Sequence, residues 1–139
     1  MKRKKEWIFF LPIIFIILAF GCQKYTPEDR CDYDGAKIEP HYAVYFALQD
    51  GTEKKYCSVV CASMSFQELK GRIKELRVVD EPSGNRIHAS EAFFIESDMV
   101  TVPHVKNRIH VFSKKEDALK HLQRFKGKWM DNPFLLAVE

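Results

Sequence analysis

His41-Tyr42-Ala43-Val44-Tyr45-Phe46-Ala47-Leu48-Gln49-Asp50-Gly51-Thr52-Glu53-Lys54-Lys55-Tyr56-Cys57 is the stretch that decides the fold class. Its first eight residues are rich in aromatic and β-branched side chains, which suit a pleated, half-buried strand. Asp50-Gly51 is a tight-turn signal, because glycine reaches positive φ at no steric cost. Residues 53–57 therefore return as a second strand. Beyond Cys57 the periodicity changes. Phe66, Leu69, Ile73 and Leu76 recur at helical offsets, and Ser65 with Glu68 forms a candidate capping box.

The rest of the chain runs through the same order again. Arg77 to Asp80 reads as a strand and Pro82 to Asn85 as a turn. Arg86 to Ile95 reads as one strand, Met99 to Val105 as irregular, and Arg108 to Phe112 as an alternating strand. Ser113 with Glu116 makes a second candidate capping box, before a helix whose apolar face is Ala118, Leu119, Leu122 and Phe125. Gly127 is placed to end that helix, and the stretch from Trp129 to Val138 can add a short last strand. The expected fold is α+β: one small domain of two ββαβ-like units with antiparallel strands and two main helices.

Before this domain stands a different kind of segment. Met1-Lys2-Arg3-Lys4-Lys5 is basic, Trp7 to Phe20 is a 14-residue apolar run, and Gly21-Cys22 closes it. These are the parts of a secretory signal, and the run is short of the ~20 residues a spanning helix needs. Leu18-Ala19-Phe20-Gly21-Cys22 resembles the lipobox, whose cysteine is diacylated and becomes the first residue. Ala19 and Phe20 depart from its usual Leu and small residue, so an uncleaved N-terminal anchor is the alternative. The expected organisation is a lipoprotein signal peptide over 1–21, a tether over 22–30 with the lipid on Cys22, and a domain over 31–139. Either way the chain is held at a cell membrane, facing the periplasm or exterior. Gln23 is not the aspartate that retains lipoproteins at the inner membrane, so a Gram-negative host would send it to the outer one.

The full chain has 22 Lys+Arg, 19 Asp+Glu and a formal charge of +3. The signal removes Lys2, Arg3, Lys4, Lys5 and Glu6, which leaves 18 of each sign and no net charge. The basic balance belongs to the signal, and nucleic-acid binding is not expected.

Acylation of Cys22 leaves Cys31, Cys57 and Cys61, an odd number in a compartment where disulfides persist. Cys57 and Cys61 straddle the change from strand to helix. At a helix start, residues i and i+4 share a face, and the local dipole favours thiolate. Two such sulfurs can hold one soft ion, Cu(I) or Zn(II), and Cys31 can join them. The alternative is a structural disulfide from Cys31 to Cys57 or Cys61 with a spare buried thiol. Asp34 can supply an oxygen ligand or a proton, or be an ordinary turn acid before Gly35. Of the five histidines, His41, His88, His110 and His121 read as surface or satisfied residues. His104, beside Pro103 in the irregular segment, is the candidate ligand. Met64, Met99 and Met130 are candidate thioethers, though methionine is usually packing.

With these residues in view, the chain from Cys31 to Trp129 resembles the NosL family, copper-binding lipoproteins that assist maturation of nitrous oxide reductase. Cys31-Asp32-Tyr33-Asp34-Gly35-Ala36 stands where the family carries Cys-x-x-Cys-Gly-Met. Asp80 to Gly84 matches its turn, Ala89-Ser90-Glu91-Ala92-Phe93 its Ala-x-x-Ala-Phe strand, and Ala118 to Gly127 its last helix. Asp34 and Ala36 replace the second cysteine and the methionine, and Pro103-His104 replaces a Pro-Met pair. Tyr56 to Phe66 is similar to the Cys-x3-Cys of TRASH-type metal modules. The resemblance implies a non-enzymatic copper chaperone or accessory protein, with a client metalloprotein or metal transporter as partner. Its site would be Cys31, Cys57 and Cys61, completed by Asp34 or His104. The Cys31–Asp34 spacing is also similar to that of organomercurial lyase, which implies a carbon–metal-cleaving alternative. A lipoprotein whose cysteines only staple the fold is the third reading.

Overall fold

Gly51 takes φ +87° and the Thr52 amide donates to Asp50 Oδ1, so the Asp-Gly turn folds as the sequence requires. Strands β1 (Val44–Leu48) and β2 (Glu53–Tyr56) close on it as an antiparallel hairpin, with Val44 opposite Tyr56. The computed structural model describes residues 30–135. The signal segment, Cys22 and the tether up to residue 29 lie outside the described residues, as do 136–139. Among the described residues no helix is long and apolar enough to cross a membrane.

Helix α1 (Val59–Leu69) begins two turns earlier than the Ser65–Glu68 pair suggests. Ser58 is its cap: the buried hydroxyl accepts from the Cys61 amide at 3.2 Å, satisfying one of the orphan donors of the first turn. The helix also ends early, in a 3-10 turn over Lys70–Arg72 that contains Gly71, a poor helix former. Ile73 and Leu76, expected on the helix face, belong instead to β3 (Ile73–Val79). There they pair with β1, Leu76 opposite Phe46 and Val78 opposite Val44. Sheet pairing outweighs the helical spacing. A short β4 (Arg86–His88) completes the order β2-β1-β3-β4.

The strand expected over 86–95 is two strands separated by a 3-10 turn at Ala89–Glu91. The second, β5 (Phe93–Thr101), runs on through residues read as irregular. With β6 (Asn107–Phe112) and β7 (Lys128–Met130) it forms a second sheet in the order β6-β5-β7. Helix α2 (Lys115–Phe125) follows β6 without the expected Ser113–Glu116 box; Lys114 is its cap residue and makes no side-chain cap bond. Ser113 is engaged elsewhere, its amide donating to Asp80 Oδ1 at 2.7 Å. Leu119 is exposed, and His121 takes the inward position beside Ala118. Gly127 ends the helix as expected. Its φ is +126°, and a Cβ there would sit 2.2 Å from the Glu96 carbonyl oxygen, so only glycine lets β7 lie against β5.

Both faces of β5 are covered, which explains its continuous apolar start. Phe94 enters the main core and Ile95 packs with Phe112 and Ala118 under α2. In the main core Phe46, Phe66, Phe94 and Phe134 meet edge-on at centroid distances of 5.6–6.2 Å. They come from β1, α1, β5 and the tail, so one core spans both sheets. The α+β class, with two ββαβ units in a single small domain, is borne out. β4 is the added strand.

Candidate metal centre

The Cys31–Ala36 loop is a closed turn. The Cys31 amide donates to the Ala36 carbonyl at 2.8 Å and Gly35, at φ +72°, donates back to the Cys31 carbonyl at 2.9 Å. Asp34 Oδ1 accepts from the Ala36 amide at 3.0 Å. The loop docks on β2 through Asp32: its amide donates to the Lys55 carbonyl, its Oδ2 accepts from the Lys55 amide at 2.7 Å, and its Oδ1 meets the Lys54 ammonium at 3.1 Å. Two residues beyond Lys55 the chain reaches Cys57, and one helical turn later Cys61.

The result is convergence. Ligand atoms of Cys31, Asp34, Cys57 and Cys61 all lie within 4.8 Å of one another. Cys57 Sγ is 3.5 Å from Cys61 Sγ, and Cys61 Sγ is 3.3 Å from Asp34 Oδ2. All three cysteines are buried free thiols. His104 arrives from the β5–β6 connection, with Nε2 at 3.2 Å from Asp34 Oδ2 and 3.7 Å from Cys57 Sγ. The five residues proposed from sequence are thus in one place. Asp34 is both things at once: Oδ1 holds the turn while Oδ2 faces the sulfurs.

Burial is the largest influence on both helix-end thiols. It pushes Cys57 up to about 11, aided by the charges of Cys31 and Asp34, although the Cys61 thiol hydrogen bond pulls the other way. Cys61 is pushed further in the same direction by burial and by Cys57 and Asp34, against the Ser58 hydrogen bond. Burial also pushes the Asp34 carboxyl up, but the Ala36 amide, the Cys31 and Cys61 thiols and His104 outweigh it and hold Asp34 at about 2. Without an ion, Cys57 and Cys61 therefore keep their protons and Asp34 keeps its charge. Desolvation is the dominant influence at both thiols.

The donor set fits a thiophilic ion. Sulfurs bound to one ion at roughly 2.3 Å lie no more than ~4.6 Å apart, close to the observed spread, and soft thiolates select Cu(I) or Zn(II) over hard cations. The remaining histidines stay out, as expected. His110 is fully buried between Glu81 Oε2 and the Met99 carbonyl, and His121 is bonded to Ser97 Oγ. His41 binds the Glu81 carbonyl and His88 sits near Glu75. Met64 and Met99 are exposed, and Met130 pairs with Phe94 at the sheet edge. Sequence reasoning missed Ser58, although a serine before Val59-Val60 is itself a cap signal.

Among solved structures, the chain is similar to the crystal structure of the copper chaperone NosL from Shewanella denitrificans, with a TM-score of 0.68. The match covers 86% of this chain and 98% of that one. This chain has the NosL fold. The resemblance read from the sequence is supported in three dimensions, at 19% identity. No protein-family model matches the sequence, and neither does any curated protein. On the NosL fold of this chain, the three thiols and Asp34 make a candidate metal-binding site.

Proposed function

We propose that this chain is a lipid-anchored, extracytoplasmic carrier of a soft metal ion, with Cu(I) as cargo and a client metalloprotein or metal transporter as receiver. The observation that carries the reading is the gathering of three buried thiols and one carboxylate within 4.8 Å on a NosL fold. Cys31, Cys57 and Cys61 supply the sulfurs, and Asp34 and His104 complete the set. Cu(I) is preferred over Zn(II) because the solved neighbour is a copper chaperone. Cys22 would hold the protein at the membrane, in the outer membrane of a Gram-negative cell.

Anaerobic titration of the purified protein tests the reading. One equivalent of Cu(I) should bind, and Cys57→Ser or Cys61→Ser should abolish tight binding. A protein that takes up neither copper nor zinc and shows a single free thiol would sink it in favour of the disulfide staple. An organomercurial-lyase activity would have to vanish in Asp34→Asn. The ionised state of Asp34, held at about 2, suits a ligand or a proton acceptor better than a standing acid.

A further inference from the structure

Among the described site residues, only His104 comes from the second ββαβ unit. Cys31 and Asp34 lie in the loop before β1, and Cys57 and Cys61 at the β2–α1 junction. Cys31, Cys57 and Cys61 are 3%, 0% and 1% exposed, whereas the side chains of Asp34 and His104 are 22% and 44% exposed. A donor arriving from solution therefore meets His104 first.

The turn that carries it is held in a conformation its own residues disfavour. Pro103–Val105 is a single 3-10 turn, and the residues at both its ends are left-handed: Val102 at φ +46°, ψ 70° and Lys106 at φ +50°, ψ 41°. A β-branched residue there is an outlier and persists only where its surroundings impose it. The surroundings are visible. Val102 is buried in the main core. Thr101 and Asn107, opposed at the feet of the turn, are buried and joined by a 2.8 Å hydrogen bond from Asn107 Nδ2 to Thr101 Oγ1; Nδ2 also donates to the Ile109 carbonyl at 2.9 Å. What the constrained turn achieves is the position of the imidazole over Cys57 and Asp34.

The geometry points to His104 as the exchange donor of the site, clipped over the cargo by the Val102 and Lys106 hinges and displaced first on transfer. This rests on the metal-carrier reading above. A thiolate of the receiving protein forms a bond to the ion as the bond from His104 Nε2 breaks. The electron pair returns to the ring nitrogen, and the ion keeps its oxidation state. The buried thiolates hold the ion until the receiver is bound, so the ion is never free.

Transfer of Cu(I) from the full-length protein in detergent to a water-soluble Cu(I) chelator, followed by stopped-flow absorbance, tests this. The wild-type rate should rise with chelator concentration. His104→Ala should still bind one equivalent, more weakly by roughly tenfold, and release it at least about tenfold faster. Thr101→Val, which removes the hydroxyl that accepts from Asn107 Nδ2 at the feet of the turn and leaves every metal donor in place, should loosen the turn and shift the rate the same way by a smaller factor. His104→Ala transferring at the wild-type rate, or losing the equivalent altogether, overturns the exchange role. An unchanged Thr101→Val rate overturns the turn's part in it. A wild-type protein that binds no metal overturns the carrier reading and this inference together, a result distinct from the others.

Discussion

Ser58→Ala should disturb the fold and the site through one atom. The hydroxyl is fully buried, caps α1 by accepting from the Cys61 amide at 3.2 Å, and lies 4.0 Å from Cys57 Sγ. Losing a serine cap costs about 1 kcal/mol, and a buried amide left without an acceptor moves that toward the upper part of the range. A loss of about 1.5 kcal/mol is expected, a fall in Tm of roughly 6–9 °C for a domain of this size. Cys61 stands in the uncapped turn, so Cu(I) affinity should fall with it, by up to about tenfold if fraying of that turn must be reversed on binding. Urea and thermal unfolding of the metal-free protein, beside Glu68→Ala, provide the assay. Glu68 is exposed on α1, and its loss should stay within about 0.5 kcal/mol. If Ser58→Ala unfolds at the wild-type midpoint while Glu68→Ala does not, the helix starts where the sequence pattern put it. The i,i+4 pairing of Cys57 with Cys61 would then be lost as an explanation of the site.

Gly127→Ala sets a Cβ 2.2 Å from the Glu96 carbonyl and 2.7 Å from Ser97 Cα, backbone atoms that cannot swing aside. About 2–4 kcal/mol should be lost, and a change in urea midpoint equivalent to less than about 1 kcal/mol would contradict the close β5–β7 approach. His121 is held down to about 4 from 6.5, by burial first and then by the charge of His110. Its stabilisation is therefore complete above about pH 6.5 and is lost as the pH falls through 4; at most about 3 kcal/mol is involved, and His121→Phe should flatten that stretch of the stability–pH curve. Cu(I) must displace protons from Cys57 and Cys61, both raised by burial, so chelator competition should show affinity rising about tenfold per pH unit for each proton released, and a flat profile between pH 6 and 8 would contradict a thiolate site. Raised thiols also stabilise the metal-free fold, in full below the ordinary value of 9, and that contribution should fade as the pH rises through about 11.

Local rules were legible in the sequence where the structure obeys local forces. The Asp50-Gly51 hairpin, the glycine stop at Gly127 and the pairing of Cys57 with Cys61 all depend on residues within a few positions of one another. Failures occurred where a distant partner decided the outcome. Ile73 and Leu76 have helical spacing after Phe66, but β1 offers them ladder bonds and a core, and they join the sheet. Ser113 has the form of a cap, yet Asp80 from the other unit takes its amide. The left-handed Val102 had no sequence signal at all, because valine is chosen against in that conformation and only the buried neighbours explain it.

The site follows the same division, and Cys31 shows why its full extent was harder to see. Twenty-five residues separate it from Cys57, and no periodicity links them. Register does. The hairpin returns β2 to a fixed place, and Asp32 then binds the backbone of Lys55 twice, by donating to its carbonyl and accepting from its amide. With Asp32 locked opposite Lys55, Cys31 is brought beside the end of β2, where Cys57 begins the turn into α1. A residue outside the ligand set, its carboxylate spent on Lys54 and Lys55, thus helps set the distance between the sulfurs. Asp32 lies outside the buried core, so replacing it removes no core side chain. Its carboxylate is nevertheless what makes three cysteines scattered in sequence into one set of ligands.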